Sequence, residues 1–227
     1  LMNKKTVLIT GASSGLGFSL VKKFFENDYV VFAHTRNKKN FNSTDLIKKS
    51  KNIVNLTGDL TKKSTIQKIS QACKKNKPSI IINNAGLYKS KSFSQMKMIE
   101  ISQLFEVNFF SILKILKNIF KYIKNRDCLI ININSLSGLA GSHNESVYSA
   151  SKHALKGFFE SMQQELLSNK INVLNIFPGA MKTKITKKRN TFHNLMTTEE
   201  VSDVIFNMCK NYKTLRFGQV TLLRKKY

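Results

Sequence analysis

The segment Thr6–Gly17, reading T-V-L-I-T-G-A-S-S-G-L-G, constrains this chain more than any other. A short apolar strand, Thr6-Val7-Leu8-Ile9, runs into glycines, and the amphipathic stretch Phe18 to Phe25 follows at once. Strand, glycine turn and helix start make a phosphate site. Backbone N–H groups and the positive helix end face the anion, and glycine lets it approach closely. A glycine loop in that place at the start of a chain points to a dinucleotide.

The pattern that follows repeats the strand–helix alternation. Tyr29 to Ala33, Ile53 to Thr57, Ser79 to Ile82, Cys128 to Ile133 and Ile171 to Phe177 read as strands, and Gln219 to Leu223 as an edge strand. Between them lie helical patterns: one after Gly58-Asp59-Leu60 with Ile66 and Ile69 on its apolar face, stopped by Pro78, a long one from Gln95 to Lys124, one from Val147 to Ser168, and a last one from Thr198 through Cys209. Regular alternation predicts an α/β fold of the Rossmann type, a doubly wound parallel sheet of about seven strands flanked by helices. Residues 1–227 are expected to form one domain, without internal repeat or linker.

The second strand ends in His34-Thr35-Arg36-Asn37. In dinucleotide folds an acid near this strand end holds the ribose hydroxyls, whereas a basic residue accommodates a 2'-phosphate. With no acid there and Arg36 available, NADP(H) is expected over NAD(H), although Arg36 also reads as one more solvated cation. Asp59 is placed either to cap the next helix or to meet an adenine amino group, and both can hold.

Tyr148 and Lys152, in Y-S-A-S-K, lie one helical turn apart and share a face. A phenol titrates near ~10 in water, and a neighbouring cation favours its anion. The pair can therefore move a proton, or it can be a plain helix surface in a lysine-rich chain. Ser135, just beyond the apolar run Cys128 to Ile133, favours the first reading, and Asn108, a polar residue inside an apolar stripe, needs a reason of its own.

Composition adds limits. The hydrophobic content of 41% is that of a soluble globular protein, and no apolar run approaches a bilayer span. The opening stretch Met2 to Thr10 is too short for a signal peptide. Cys73, Cys128 and Cys209 have no metal-ligand spacing, so no metal is expected, and they fit reduced thiols in a cytoplasm. The net charge of +25 raises polyanionic partners, yet the lysines are spread without a basic tail or nucleic-acid motif. Abundant Asn, Ile and Phe alongside them fit a coding bias, and no specific nucleic-acid or membrane partner is expected.

Taken together, T-G-A-S-S-G-L-G at Thr10 to Gly17, N-N-A-G at Asn83 to Gly86, Asn108, Ser135, Tyr148 to Lys152 and P-G-A-M-K-T at Pro178 to Thr183 give the chain a close resemblance to the short-chain dehydrogenase/reductase family over nearly its full length. The resemblance implies a cytoplasmic Rossmann oxidoreductase that moves hydride between NAD(P)(H) and a carbonyl/alcohol pair. It makes Tyr148 the general acid or base, and has Lys152 tune it and bond the nicotinamide ribose. Ser135 would polarise the substrate carbonyl, and Asn108 would hold a water leading to Lys152. It assigns cofactor contacts to Gly11, Ser13, Ser14, Gly15, Leu16 and Gly17, to Arg36, Asp59 and Leu60, to Asn84, Ala85 and Gly86, and to Tyr148, Lys152, Pro178, Gly179 and Thr183. A homodimer or homotetramer through the long helices is implied as well.

Two departures matter. Ser14 stands where many NADP-using relatives carry a basic residue, so the NADP(H) expectation rests on Arg36 and on Thr35 in place of an acid. The ending Gly218 to Tyr227 lacks the glycine-rich terminus common in acyl-carrier-protein reductases. Leu87, Tyr88, Leu136, Leu139, His143 and Met181 are expected to line the substrate pocket, beneath a lid of residues Lys184 to Thr197. Lys182, Lys184, Lys187, Lys188 and Arg189 crowd that lid. They suit an anionic substrate such as a nucleotide sugar, an acyl thioester or a phosphorylated metabolite, or they are merely solvated. The competing reading is a Rossmann protein that senses a dinucleotide or binds nucleic acid without catalysis.

Overall fold

Val7, Leu8 and Ile9 have no exposed surface, because their strand lies inside the sheet with both faces covered. The computed structural model describes residues 4–37 and 50–225; Met2 and Asn3 of the opening stretch lie outside them. Seven strands form one parallel sheet: β1 (Thr6–Ile9), β2 (Val30–Thr35), β3 (Ile53–Thr57), β4 (Ile80–Asn83), β5 (Cys128–Ile133), β6 (Ile171–Pro178) and β7 (Gln219–Leu222). Their order is β3-β2-β1-β4-β5-β6-β7. The chain builds outward from β1 in one direction and then in the other, which opens a crevice at the strand ends between β1 and β4. The expected fold is therefore observed, with strand ends moved by one or two residues.

Alternation along each strand feeds two cores. Val7, Ile9, Val31 and Ile82 pack under α1 (Gly15–Glu26) and, through Val201, Ile205 and Phe206, under the C-terminal helix, Thr198–Asn211. Leu8, Phe32, Ile81 and Ile130 face the opposite layer. There α2 (Lys63–Asn76), α4 (Ser111–Ile123) and α5 (Ser146–Glu165) contribute Ile69, Ile115, Ile119, Leu155 and Phe159. In chain order, α3 is Met98–Phe105, and the C-terminal helix is α6. Burying a side chain of this size stabilises the fold by roughly 1.5–3 kcal/mol, so the two apolar faces of the sheet are its main source of cohesion.

Helix ends show where the sequence rules hold. Lys77 takes the left-handed conformation at φ 39° and its N–H bonds the Cys73 carbonyl at 2.8 Å, after which Pro78 prevents continuation. Thr197 and Glu200 cap α6 reciprocally: the Thr197 hydroxyl accepts the Glu200 N–H at 3.1 Å and Glu200 accepts the Thr197 N–H at 2.7 Å.

Two expectations are corrected. The helix expected from Gln95 to Lys124 starts at Met98 and contains a π-helical stretch, Glu106–Phe110, between α3 and α4. The wider turn aims Asn108 into the interior, a geometry that apolar periodicity cannot reveal. Asp59 does not cap α2, whose N-cap is Lys62; its carboxylate folds back to accept the Thr61 N–H at 2.9 Å.

Candidate active site

The glycine turn after β1 is held from two sides. The Ala12 N–H bonds the His34 carbonyl at 2.8 Å, and the Gly11 N–H reaches the His34 Nδ1 at 3.5 Å. The other ring nitrogen, Nε2, lies 2.8 Å from the Gly58 carbonyl. An acceptor at Nδ1 and a donor at Nε2 describe a neutral imidazole, and burial pushes its pKa down, in keeping with that form. From the far side, the Asn84 amide donates to the carbonyls of Thr10 and Gly11 at 3.0 and 3.1 Å.

Gly11 and Gly15 have φ of 67° and 53°, which favours glycine, while Gly17 is required by crowding. A Cβ at Gly17 would land on the Gly11 carbonyl and 2.6 Å from the Asn84 Nδ2. Ser14 forms the N-cap of α1 without a side-chain bond to the first turn, so its hydroxyl does not compete with an anion there.

A cavity of about 490 Å³ opens from this turn. Gly11, Ser13, Ser14, Gly15, Leu16 and Gly17 line it, with Arg36, Asp59, Leu60, Asn84, Ala85, Gly86 and Thr183. These thirteen are sequence-expected cofactor residues. His34, Asn37, Val107 and Lys184 also line it and were not foreseen. Thr35 is not a lining residue; it is buried and donates to the Asn55 side chain at 3.2 Å. A glycine turn against an uncapped helix start, with Arg36 on the rim, fits the pyrophosphate and ribose of a nicotinamide dinucleotide.

A second cavity, about 470 Å³, adjoins the first and shares Asn84, Gly86, Leu87, Met181, Thr183 and Ile185 with it. Ser135, Tyr148, Lys152, Pro178 and Gly179, the remaining expected residues apart from Asn108, line this one. Of the residues expected around the substrate, Leu87, Tyr88, Leu136 and Met181 are in its wall. Leu139 and His143 are not: the 3-10 turn Leu136–Gly138 carries Leu139 to the surface, and His143 is exposed. Of the lid cations only Arg189 faces this cavity. Ser137, Ser142, Glu145 and Thr186 line it unforeseen.

Residues 184–197 are stitched at their base. Met181 bridges Met196, the Lys182 N–H bonds the Met196 carbonyl at 2.8 Å, and the Thr186 hydroxyl bonds the Met181 carbonyl at 2.5 Å.

Lys152 Nζ lies 5.9 Å from the centre of the Tyr148 ring and donates to the Ile133 carbonyl at 3.2 Å. Burial lowers the Lys152 pKa to about 8 and raises that of Tyr148 to about 12. The contribution that favours the phenolate is the hydrogen bond from Ser135, which Glu145 and Tyr88 oppose. Asn108 is fully buried: its Oδ1 accepts the Leu87 N–H at 2.7 Å, and its Nδ2 donates to the Leu87 carbonyl at 2.9 Å and to the Ser151 hydroxyl at 3.1 Å. A Cβ at Gly86 would sit 3.6 Å from the Asn108 Oδ1 and 3.8 Å from Lys152 Nζ, so both groups abut the same backbone.

Residues 5–194 match the short chain dehydrogenase family. Among relatives, the chain is 34% identical over 190 residues to an oxidoreductase, YusZ, of Bacillus subtilis, covering 81% of this chain and 68% of that one. It is 30% identical over 200 residues to the 3-oxoacyl-(acyl-carrier-protein) reductase FabG of Buchnera aphidicola, covering 84% and 79%. Two solved structures share the fold with TM-scores of 0.86. One is a dehydrogenase/reductase from Sinorhizobium meliloti, at 19% identity and covering 96% and 93% of the two chains. The other is ElxO with NADP bound, at 24% identity and covering 96% and 97%.

Proposed function

The chain belongs to the short-chain dehydrogenase family, and we propose that it moves a hydride between NADP(H) and the carbonyl or alcohol carbon of a small substrate. The observation that carries this reading is the junction of the two cavities: Ser135, Tyr148 and Lys152 line one, the glycine turn lines the other, and Asn84, Gly86 and Thr183 belong to both.

Gly11 to Gly17 would hold the pyrophosphate, Arg36 the 2'-phosphate and Lys152 the nicotinamide ribose. When bound, the nicotinamide supplies the hydride in reduction or accepts it in oxidation. In reduction the carbonyl oxygen gains negative charge, and donors already aimed at it stabilise that charge more than they stabilise the ketone. Ser135 is the fixed donor. Tyr148 gives up its phenolic proton to the same oxygen, a transfer that typically contributes ~10²–10⁴-fold. A buried lysine cation beside the phenol holds the resulting phenolate. Asn108 keeps the Leu87 backbone, and with it the shared wall of both cavities, in place.

Arg36 and Lys184 on the dinucleotide cavity support NADP(H) over NAD(H), and Arg189 on the other supports a substrate with an anionic group. A homodimer or homotetramer and a cytoplasmic setting remain part of the proposal.

The test is a fluorescence titration with NADPH and NADH, repeated on Arg36→Ala, followed by a carbonyl panel run with NADPH. Tighter NADPH binding that the substitution erases, together with turnover of a ketone, is the expected result. Tighter NADH binding overturns the cofactor choice. Failure to bind either overturns the enzyme reading.

A further inference from the structure

Glu145 is the one carboxylate among the described residues that line the substrate cavity, and it is not part of the proton-transfer machinery described above. Both of its oxygens are engaged. Oε1 accepts the Tyr88 phenol at 2.6 Å, and Oε2 accepts the Ser137 hydroxyl at 2.8 Å. The first of these is short, as expected for a hydroxyl donating to a carboxylate.

The three partners come from three segments. Tyr88 lies on the loop after β4, Ser137 on the turn after β5, and Glu145 is the residue from which α5 starts. Asn144, just before it, holds φ at 58°, a conformation asparagine tolerates better than most residues, and its carbonyl accepts the Lys91 N–H at 2.7 Å. A left-handed residue at this point turns the chain so that Glu145 faces the cavity while the backbone ties the same two segments together. Such conformations persist where the surroundings fix them.

The clamp reaches Tyr148 in two ways. The Tyr88 ring meets the Tyr148 ring edge to face, with centres 5.0 Å apart and planes at 84°. The carboxylate charge also opposes formation of a phenolate. The groups that face Tyr148 are Lys152 from its own helix, Ser135 from the end of β5, Tyr88 from the loop after β4 and Glu145 at the start of α5, and Arg189 lines the same cavity.

We propose that Glu145 is a positioning residue for proton transfer: it clamps Tyr88 and Ser137 so that Tyr88 braces the Tyr148 ring. The inference rests on the reductase reading above. In the step it governs, an electron pair arrives at the carbonyl carbon as hydride from NADPH and the C=O π pair moves to oxygen. That oxygen forms its O–H bond as the Tyr148 O–H bond breaks.

The experiment measures kcat and KM against pH in NADPH-driven ketone reduction for the full chain, Glu145→Gln and Tyr88→Phe, with NADPH affinity measured alongside. Reduction needs a protonated Tyr148 and a cationic Lys152, so its rate falls on the alkaline side. In Glu145→Gln that fall moves to lower pH by about half a unit or more, because the opposing charge is gone. Its kcat drops about 3–10-fold with KM for NADPH unchanged, a fraction of the ~10²–10⁴-fold that the whole proton transfer contributes. Tyr88→Phe keeps the ring and the Glu145 charge but breaks the clamp, so kcat drops several-fold while the alkaline limb moves less than in Glu145→Gln. A Glu145→Gln enzyme with unchanged kcat and pH profile overturns the inference while leaving the reductase reading intact. If that variant does not fold, wild-type kcat in Tyr88→Phe overturns it instead. A parent chain that binds NADPH but reduces no ketone fails at the earlier reading.

Discussion

The side chain of Asn108 and the main chain of Leu87 bind each other twice, at 2.7 and 2.9 Å, with no exposed surface on the asparagine. The amide thereby acts as a substitute for a neighbouring strand, satisfying the N–H and C=O of a loop that leaves the sheet at Asn83. Only a side chain with both a donor and an acceptor does this. Asn108→Leu removes both bonds from the part-buried Leu87 backbone, at roughly 0.5–1.5 kcal/mol each. The expected outcome is a clear loss of stability in denaturant unfolding together with weaker NADPH binding, since Leu87 lines both cavities. Asn108→Asp must bury a carboxylate against the Leu87 carbonyl or take up a proton, and is expected to be destabilised as well. Equal stability of Asn108→Leu and the parent would refute this account.

Lys152 carries a cost that pH exposes. Its folded pKa of about 8 lies below the ordinary lysine value of 10.5, so between those values the unfolded chain binds a proton that the folded chain does not. Stability attributable to this group therefore rises as pH increases from about 8 to about 10.5, and the penalty is full below 8. Lys152→Met abolishes the burial of charge and should be more stable than the parent at pH 7, by on the order of 3 kcal/mol before relaxation is allowed for. The gap should close toward pH 10. Denaturant midpoints for both chains at pH 7 and pH 10 check the sign, and a gap that is constant or that widens with pH contradicts it. Hydride transfer should be lost in the same variant at every pH.

Glycines divide by what surrounds them. At Gly17 an added methyl would collide with the Gly11 carbonyl, which is backbone and cannot step aside. Gly157 lies exposed inside α5 with open space around it. Gly17→Ala is expected to destabilise by about 1–3 kcal/mol, as overpacking does, and to weaken dinucleotide binding. Gly157→Ala should stabilise by about 0.5–1 kcal/mol, raising Tm by a few degrees at most. Thermal scans of both variants settle the contrast, and a Gly157→Ala chain less stable than the parent would mean that this face of α5 is covered in solution.

What the sequence revealed followed from local rules. Apolar runs bounded by turn residues marked all seven strands, and the glycine turn, Ser135, Tyr148 and Lys152 announced themselves by residue type and spacing. What it concealed depends on register or on distant partners. Asn83, Asn132 and Asn175 occupy one row across β4, β5 and β6, fully buried, with the Asn132 amide bonding the Asn175 side chain at 2.9 Å. Each looks like an isolated polar residue at the end of an apolar run until pairing aligns them. His34 read as part of a cofactor-facing strand end, yet its ring ties the glycine turn to Gly58. Glu145 carried no signal at all, because its partners Tyr88 and Ser137 come from loops whose course local periodicity does not fix. Leu139 and His143 failed for the opposite reason: they are near Ser135 in sequence, but a 3-10 turn sends the chain outward after Leu136.

The basic segment after β6 shows why charge counts need geometry. Lys182, Lys184, Lys187, Lys188 and Arg189 are close in sequence, yet Arg189 alone lines the substrate cavity and Lys184 alone lines the dinucleotide cavity. A charge on the rim is screened over about 8–10 Å at physiological ionic strength, whereas one on a cavity wall acts at contact distance. Arg189→Gln is therefore expected to raise KM for anionic ketones several-fold relative to neutral ones while leaving NADPH affinity unchanged. Lys184→Gln should weaken NADPH without changing the ranking of ketones. Lys187→Gln and Lys188→Gln should alter neither beyond a modest salt-dependent effect. Steady-state kinetics on a matched pair of ketones, one carboxylated and one neutral, at low and physiological salt, separates these outcomes. Equal KM shifts for both ketones in Arg189→Gln would show that the arginine shapes the cavity without selecting charge.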